Sequence, residues 1–371
     1  MGQGMQTLGA VAEGRDNNFN LIRMLAATAV LVSHAWPIAL GPQVPEPLEA
    51  LFGRALGGMA VVVFFVLSGF LITASYARLA APGPFVLARG LRLFPGLVVS
   101  LALVALGMGP WVSTLTPQAY WTDPGTWRFL AHDITLASPV YTLPGVFARN
   151  PYATVEGSIW TLIHEVACYG GVLLAGMLGL IRRRGALSLG LLLVYGAFWL
   201  LPGLGLVTLP PRLEAFRGLS LGFVAGMVLW LWRDRIALPV LGLAGLAGLA
   251  AAVAGVASGV ASGGMPGALA DLALVTGLAG ATFWLAFVPG RGWTRGIRAY
   301  NRIGDYSYGL YIYAFPLQGL AVWLWGPLTP WQNIALALPL TLALAVPSWH
   351  LIEAPALRLR RRLPAARSLQ A

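Results

Sequence analysis

Arg23 and His34 stand eleven residues apart in FNLIRMLAATAVLVSHAWPIAL, a run otherwise apolar and long enough to cross a bilayer as one helix. At about 100° per residue, eleven steps return a helix to within roughly 20° of its starting azimuth. Both side chains then leave the same face, about 16 Å apart along the axis. A charge at mid-span costs on the order of 3 kcal/mol or more, and ionisable groups there face a protein interior or a wet cavity. The pair reads as the lining of one path through the membrane. The competing reading has Arg23 snorkelling to the interface and His34 packed as a structural ring. On the first reading His34 is the base on that path, because histidine titrates near neutral pH.

A second constellation lies in SIWTLIHEVACYG, where Glu165 sits about eight residues below one end of its span and at a depth similar to that of His34. If those two helices are neighbours, the carboxylate orients the imidazole and favours its protonated form, as in a general-base pair. A purely structural ion pair is the alternative. His164 and Glu165 begin an H-E pair, but Cys168 occupies the position where a zinc site needs a second histidine, so no metal is expected. His132 and Asp133 read as loop residues. Ser68 in FFVLSGFLI lacks the G-x-S-x-G elbow of a nucleophile and reads as a close helix contact. Arg89 and Arg92 are one turn apart in FVLARGLRLFPG and, if helical, point together, as suits the phosphates of a nucleotide-bearing donor. Ordinary topology arginines would look the same.

The elements that hold these residues follow from composition. Of 371 residues, 58% are hydrophobic and 10% charged, which excludes an ordinary soluble domain. All 24 basic residues are arginine, so lysine chemistry is absent. The net charge of +11 falls in clusters between apolar runs and points to topology rather than to nucleic acid. The single Cys168 allows no intramolecular disulfide and reads as packing. Ten spans are expected, roughly at 19 to 40, 57 to 76, 94 to 112, 157 to 181, 186 to 202, 215 to 232, 236 to 256, 267 to 288, 305 to 324 and 332 to 352. With a cytoplasmic N-terminus, only Arg54, Arg128, Arg149, Arg212 and Arg217 fall outside and the other nineteen inside, which also returns the C-terminus to the cytoplasm.

The expected molecule is thus an all-α integral membrane protein of about ten helices. Residues 1–18 form a short cytoplasmic tail, 19–353 the membrane domain, and 354–371 a basic cytoplasmic tail. The loop at 113–156 lies outside, where Tyr120, Trp121, Trp127, Tyr141 and Tyr152 form either a sugar-stacking surface or an interfacial aromatic belt. The glycine- and alanine-rich seventh and eighth spans read as closely packed scaffold.

Taken together, the Arg23 to His34 spacing, GGMAVVVFFVLSGFLI, Arg89 with Arg92 and Pro95, the Trp160, Glu165, Tyr169 series, IGDYSYGLYIY, and the closing Glu353 and Pro355 resemble the bacterial acyltransferase-3 family of integral membrane acyltransferases. The resemblance spans nearly the whole chain. It implies an inner-membrane O-acyltransferase that moves an acyl group, often acetyl from acetyl-CoA, to a hydroxyl of an extracytoplasmic or lipid-linked glycan, with the first-helix arginine and histidine essential. Many relatives carry a histidine near the ninth span where this chain has Ala314. On this reading Arg23, His34 and Glu165 are catalytic, Arg89 and Arg92 bind acyl-CoA, and Trp160 and Tyr169 contact the acceptor. No permanently bound cofactor is expected. Direct transfer and an acyl-histidine intermediate both stay open. The rival class is a secondary transporter or glycan flippase using Arg23, His34 and Glu165 for substrate binding or proton relay, which would favour repeated halves and paired broken helices.

Overall fold

A computed structural model describes residues 6–14, 16–259, 264–287 and 297–359. Arg15, Arg291, Arg295 and the arginines beyond residue 359 lie outside the described residues, as does most of the expected basic tail. Among the described residues ten long helices follow in order: α1 Phe19–Leu40, α2 Leu56–Leu79, α3 Pro82–Val112, α4 Trp160–Met177, α5 Arg184–Gly203, α6 Pro211–Leu231, α7 Leu238–Ala257, α8 Gly264–Phe287, α9 Ser307–Trp325 and α10 Pro330–Leu359. Among the described residues, extended pairing is confined to one bridge between Thr7 and Ala237. Eight of the ten helices are long and apolar enough to cross a membrane. The other two, α4 and α9, are of comparable length but less apolar, because α4 carries His164 and Glu165 and α9 carries three tyrosines and Gln318. The chain is a multi-pass membrane protein.

Two boundaries differ from the sequence reading. The third span begins at Pro82 rather than near residue 94, so Arg89 and Arg92 lie inside the helix instead of ahead of it. Pro82 and Pro84 sit where their missing N–H groups cost nothing at the start of a helix. The last span runs to Leu359 through a π-helical segment at Trp349–Glu353, flanked by Pro347 and Pro355, each of which removes a donor from the ladder. The tail before α1 is not wholly loose either. Leu8–Ala12 is helical, Leu8 is fully buried, and its N–H donates to the carbonyl of Ile236 at 2.8 Å.

In lipid there is little hydrophobic drive between helices, so association rests on close packing and polar links. Small residues supply the packing. Gly69 of α2 faces the backbone of Phe223 on α6, and Gly226 of α6 faces the backbone of Val66, leaving no room for a Cβ at either position. α7 and α8 approach through Gly245, Gly248, Gly277 and Gly280. A polar link joins α1, α9 and α10: Gln318, fully buried, donates to the carbonyl of Leu31 at 2.9 Å and to Asn333 at 3.0 Å.

We call the end of the bundle holding Leu8–Ala12 and the start of α3 the near face, and the end holding residues 113–159 the far face. That long connection is packed rather than open. Tyr120 is fully buried, donating to the carbonyl of Ala105 at 2.7 Å, and so is not available for stacking on a ligand. Trp121 and Trp127 remain exposed. His132 and Asp133 are not loop residues. They lie on the helix Pro124–Thr135, where Asp133 is buried and accepts from the N–H of Val140 at 2.7 Å. Burial pushes the Asp133 carboxyl up to about 7 and that of the equally buried Glu156 up to about 8.

Candidate active site

The site is built from a charge-balancing problem. Arg23, in the second turn of α1, and Arg92, in the third turn of α3, both enter the bundle interior near one face. The chain answers with Asp305, just ahead of α9. Gly304 turns the backbone there at φ 148°, a conformation open to glycine, and a Cβ on it would meet the Trp349 indole nitrogen at 2.6 Å. Asp305 then reaches Arg92 Nη2 at 2.8 Å and Arg23 Nη2 at 3.2 Å, and accepts from the Ser307 hydroxyl at 2.5 Å. Glu353, delivered by the π-helical segment of α10 and 1% exposed, stands 3.6 Å from Arg92 Nη1. The Arg92 guanidinium also sits 5.6 Å from the Tyr308 ring centre and 5.9 Å from that of Trp349. Gly96, one turn beyond Arg92, admits Tyr308 and Glu353 against α3, and the Tyr308 hydroxyl donates to the carbonyl of Leu93 at 2.7 Å.

Of these groups Arg23, Arg92, Ser307 and Tyr308 line a cavity of about 120 Å³ between α1, α2, α3, α4 and α9, together with Arg89, Ser68, Glu165 and Tyr169. Glu165 Oε1 accepts from the Ser68 hydroxyl at 2.9 Å and from the Tyr169 hydroxyl at 2.5 Å. The FFVLSGFLI motif therefore does two things: Gly69 makes the helix contact, and Ser68 orients the carboxylate. Arg89 lies 3.4 Å from the Ser75 hydroxyl. Arg23 and Arg92 are thus paired with Asp305 and Glu353, while Glu165 lines the same cavity held by two hydroxyl groups.

His34 stands apart from this cavity. Helix α4 packs on α2, α3 and α6, and α2 lies between it and α1, so the neighbourhood of helices one and four assumed from depth alone is not what the structure builds. His34 is not among the cavity's lining residues. Its ring meets Phe315 of α9 edge-on at 5.1 Å, and its Nδ1 is buried with no hydrogen bond among the described residues. Phe315 is one turn along α9 from Tyr311, which does line the cavity and whose hydroxyl lies 2.6 Å from that of Thr161. The ring that His34 touches therefore lies one helical turn of α9, about 6 Å of rise, from a residue of the cavity wall. The far-face connection closes over the same ring, with Tyr152 at 6.0 Å from Phe315 and Gly157 against it.

The two expected acceptor contacts part company. Tyr169 belongs to the central cavity, whereas Trp160 sits at the far end of α4, its ring 5.7 Å from His164. Sequence reasoning read Ser68 as a helix contact and quoted Glu353, and Asp305 and Tyr308 within IGDYSYGLYIY, as motif residues without assigning any of them a part in the site. The signal available was charge balance: two arginines inside spans require buried acids, and Asp305 and Glu353 both stand beside apolar runs.

A bundle of long apolar helices enclosing an arginine–carboxylate cavity near one face defines a polytopic membrane protein with a polar reaction or transport chamber. The family comparison decides between those uses. Residues 16–350 match the acyltransferase domain model, and the chain belongs to the acyltransferase-3 family; it is an acyltransferase. It is 28% identical over 327 residues to an O-acetyl transferase of Shigella phage Sf6, covering 83% of this chain and 86% of that one. It is 32% identical over 174 residues to nodulation protein 10 of Rhizobium leguminosarum bv. viciae, a match spanning 43% of each chain. No solved structure matches.

Proposed function

We propose that this protein is an inner-membrane O-acyltransferase that moves an acyl group, acetyl in the first instance, from cytoplasmic acyl-CoA to a hydroxyl of an extracytoplasmic or lipid-linked glycan. The observation that carries the reading is the cavity lined by Arg23, Arg89, Arg92 and Glu165 inside a membrane bundle of this family. The near face is taken as cytoplasmic, in keeping with the nineteen-to-five division of arginines.

Guanidinium groups hold phosphate through charge-assisted bonds, and Arg89 and Arg92, one turn apart on α3, are read as the donor contact. Arg23 and Arg92 are bound to Asp305, so donor phosphates must share or displace that carboxylate. The pantetheine arm then runs from Arg23 towards His34, a path of about 16 Å that an extended arm spans. The acyl end passes the turn of α9 that carries Tyr311 and Phe315. His34 takes the proton from the acceptor hydroxyl as its oxygen attacks the thioester carbonyl. The carbon–sulfur bond breaks, and the imidazolium returns the proton to the departing thiolate, giving ester and free CoA. Glu165, held by Ser68 and Tyr169, balances positive charge in the chamber.

Membranes holding the protein, supplied with acetyl-labelled CoA on the cytoplasmic side, should place label on extracytoplasmic glycan. Label that stays on CoA, with a folded protein and acceptor present, would overturn the reading.

A further inference from the structure

On the far face, away from the central chamber, two adjoining cavities of about 320 and 430 Å³ share Arg54, Trp199, Glu214, Arg217 and Asp271 in their walls and so form one two-lobed vestibule. Each lobe is within the size range of small-molecule sites. The vestibule is assembled from distant parts of the chain: Arg54 precedes α2, Trp199 ends α5, Glu214 and Arg217 begin α6, and Asp271 lies in α8. Trp160, at the start of α4, walls the larger lobe. Val61 of α2 borders both that lobe and the central cavity, so the vestibule and the chamber back onto one another.

The charges are arranged in two pairs, Arg54 with Asp271 and Arg217 with Glu214. In each pair one member is deep and the other open: Asp271 and Arg217 are 21% and 12% exposed, Arg54 and Glu214 47% and 50%. The deep member fixes its partner, and the open one presents donors or acceptors to whatever enters. The Arg217 guanidinium lies 4.2 Å from the centre of the Trp199 ring. Two buried donors at this contact, Trp199 Nε1 and Arg217 Nε, have no hydrogen-bond partner among the described residues. Unspent buried donors beside a cavity are costly unless a ligand meets them.

The wall has two positive and two negative groups. An ionic ligand finds no net attraction there, and an apolar one would strip water from four charges without replacing it. A neutral polyhydroxylated molecule satisfies both signs, because each hydroxyl donates and accepts, and its C–H faces can lie on indole rings. We infer that this vestibule binds a saccharide portion of the acceptor remote from the hydroxyl that meets His34, with Trp160 and Trp199 as platforms and Arg54, Glu214 and the Trp199 N–H as hydrogen-bonding groups. This rests on the acyltransferase reading above for its purpose, though not for its chemistry.

The test is calorimetric titration of the full-length protein in nanodiscs with two probes: water-soluble oligosaccharides released by mild acid from the native host's envelope glycans, and the organic-solvent extract carrying their lipid-linked forms. Saturable binding of the first alone marks a free glycan, and of the second alone a lipid-linked one. Trp199→Phe keeps a smaller aromatic face and removes the N–H, and should weaken binding about 3- to 10-fold. Asp271→Asn releases Arg54 and should weaken it at least as much. In both variants the acceptor KM should rise by the same factor while the Kd for acetyl-CoA stays within about twofold. A merely structural role would lower thermal stability and leave the saccharide Kd of Trp199→Phe unmoved, which overturns the proposal, as does the absence of saturable binding of either probe to the unaltered protein. Saccharide binding sensitive to Trp199 without any acyl transfer would leave the site standing and remove the acyltransfer reading instead.

Discussion

Asp305→Asn tests the arrangement on which the chamber depends. The carboxylate is buried and serves two cations, at 2.8 Å from Arg92 and 3.2 Å from Arg23. Removing one partner of a buried ion pair costs about 3–5 kcal/mol, because the remaining charge stays desolvated. Two features reduce that figure. Asparagine keeps the shape and one acceptor oxygen, and the arginine side chains are 23% and 22% exposed, so solvent screens part of the loss. A destabilisation of about 2–3 kcal/mol is expected. The two arginines should not feel it equally. Arg92 retains Glu353 at 3.6 Å and the rings of Tyr308 and Trp349, whereas among the described residues Arg23 retains a hydrogen bond to Asn20 at 2.6 Å and the more distant charge of Glu165. In double-mutant cycles on unfolding free energy in detergent, Asp305→Asn should therefore couple to Arg23→Gln by more than about 1 kcal/mol. The combined variant should be more stable than the sum of the single losses predicts, since it leaves no orphaned cation beside the missing acid. Coupling below about 0.5 kcal/mol for both arginines would show that the carboxylate does not organise them, and the account of the chamber would fail.

His34→Ala should lower acyl transfer by about 100- to 10,000-fold with the protein still folded, as measured by transfer, donor binding and thermal melting together; near-normal turnover in folded protein refutes the general-base role. Arg89→Ala should raise the donor KM more than it lowers kcat, and added salt should reproduce part of the defect, whereas an unchanged donor KM would make Arg89 scaffold. Glu156, 1% exposed and held at about 8, binds a proton in the folded state that it has released in the unfolded chain above about pH 4.5, and Asp133 at about 7 behaves alike. Their contribution is fully present below the unfolded values and is lost as pH rises through the folded ones, so stability should fall between about pH 4.5 and 8. Glu156→Gln should flatten that slope in a melting series, and an unchanged slope would refute the assignment.

The sequence by itself determined the helical membrane class, the order of the helices and the family, because apolar run length and residue spacing are local properties read along one chain. The first helix runs over Phe19–Leu40, where the apolar run placed it, and the small-residue spans pack as closely as their glycines permit. The start of α3 at Pro82 escaped notice because Arg89 and Arg92 interrupt hydropathy, and hydropathy cannot see that Asp305 and Glu353 neutralise them. Only the tertiary structure decided who neighbours whom. Depth along a span places His34 and Glu165 on a level, but azimuth and helix order put α2 between them and give Glu165 to Ser68 and Tyr169. The same holds for Glu353, whose aim depends on a π-helical segment that rotates it towards Arg92, and for the vestibule, whose walls come from six separate helices and one connecting segment. Contacts between side chains more than two hundred residues apart depend on how helices rotate and pack, and no periodicity along a single chain records that rotation.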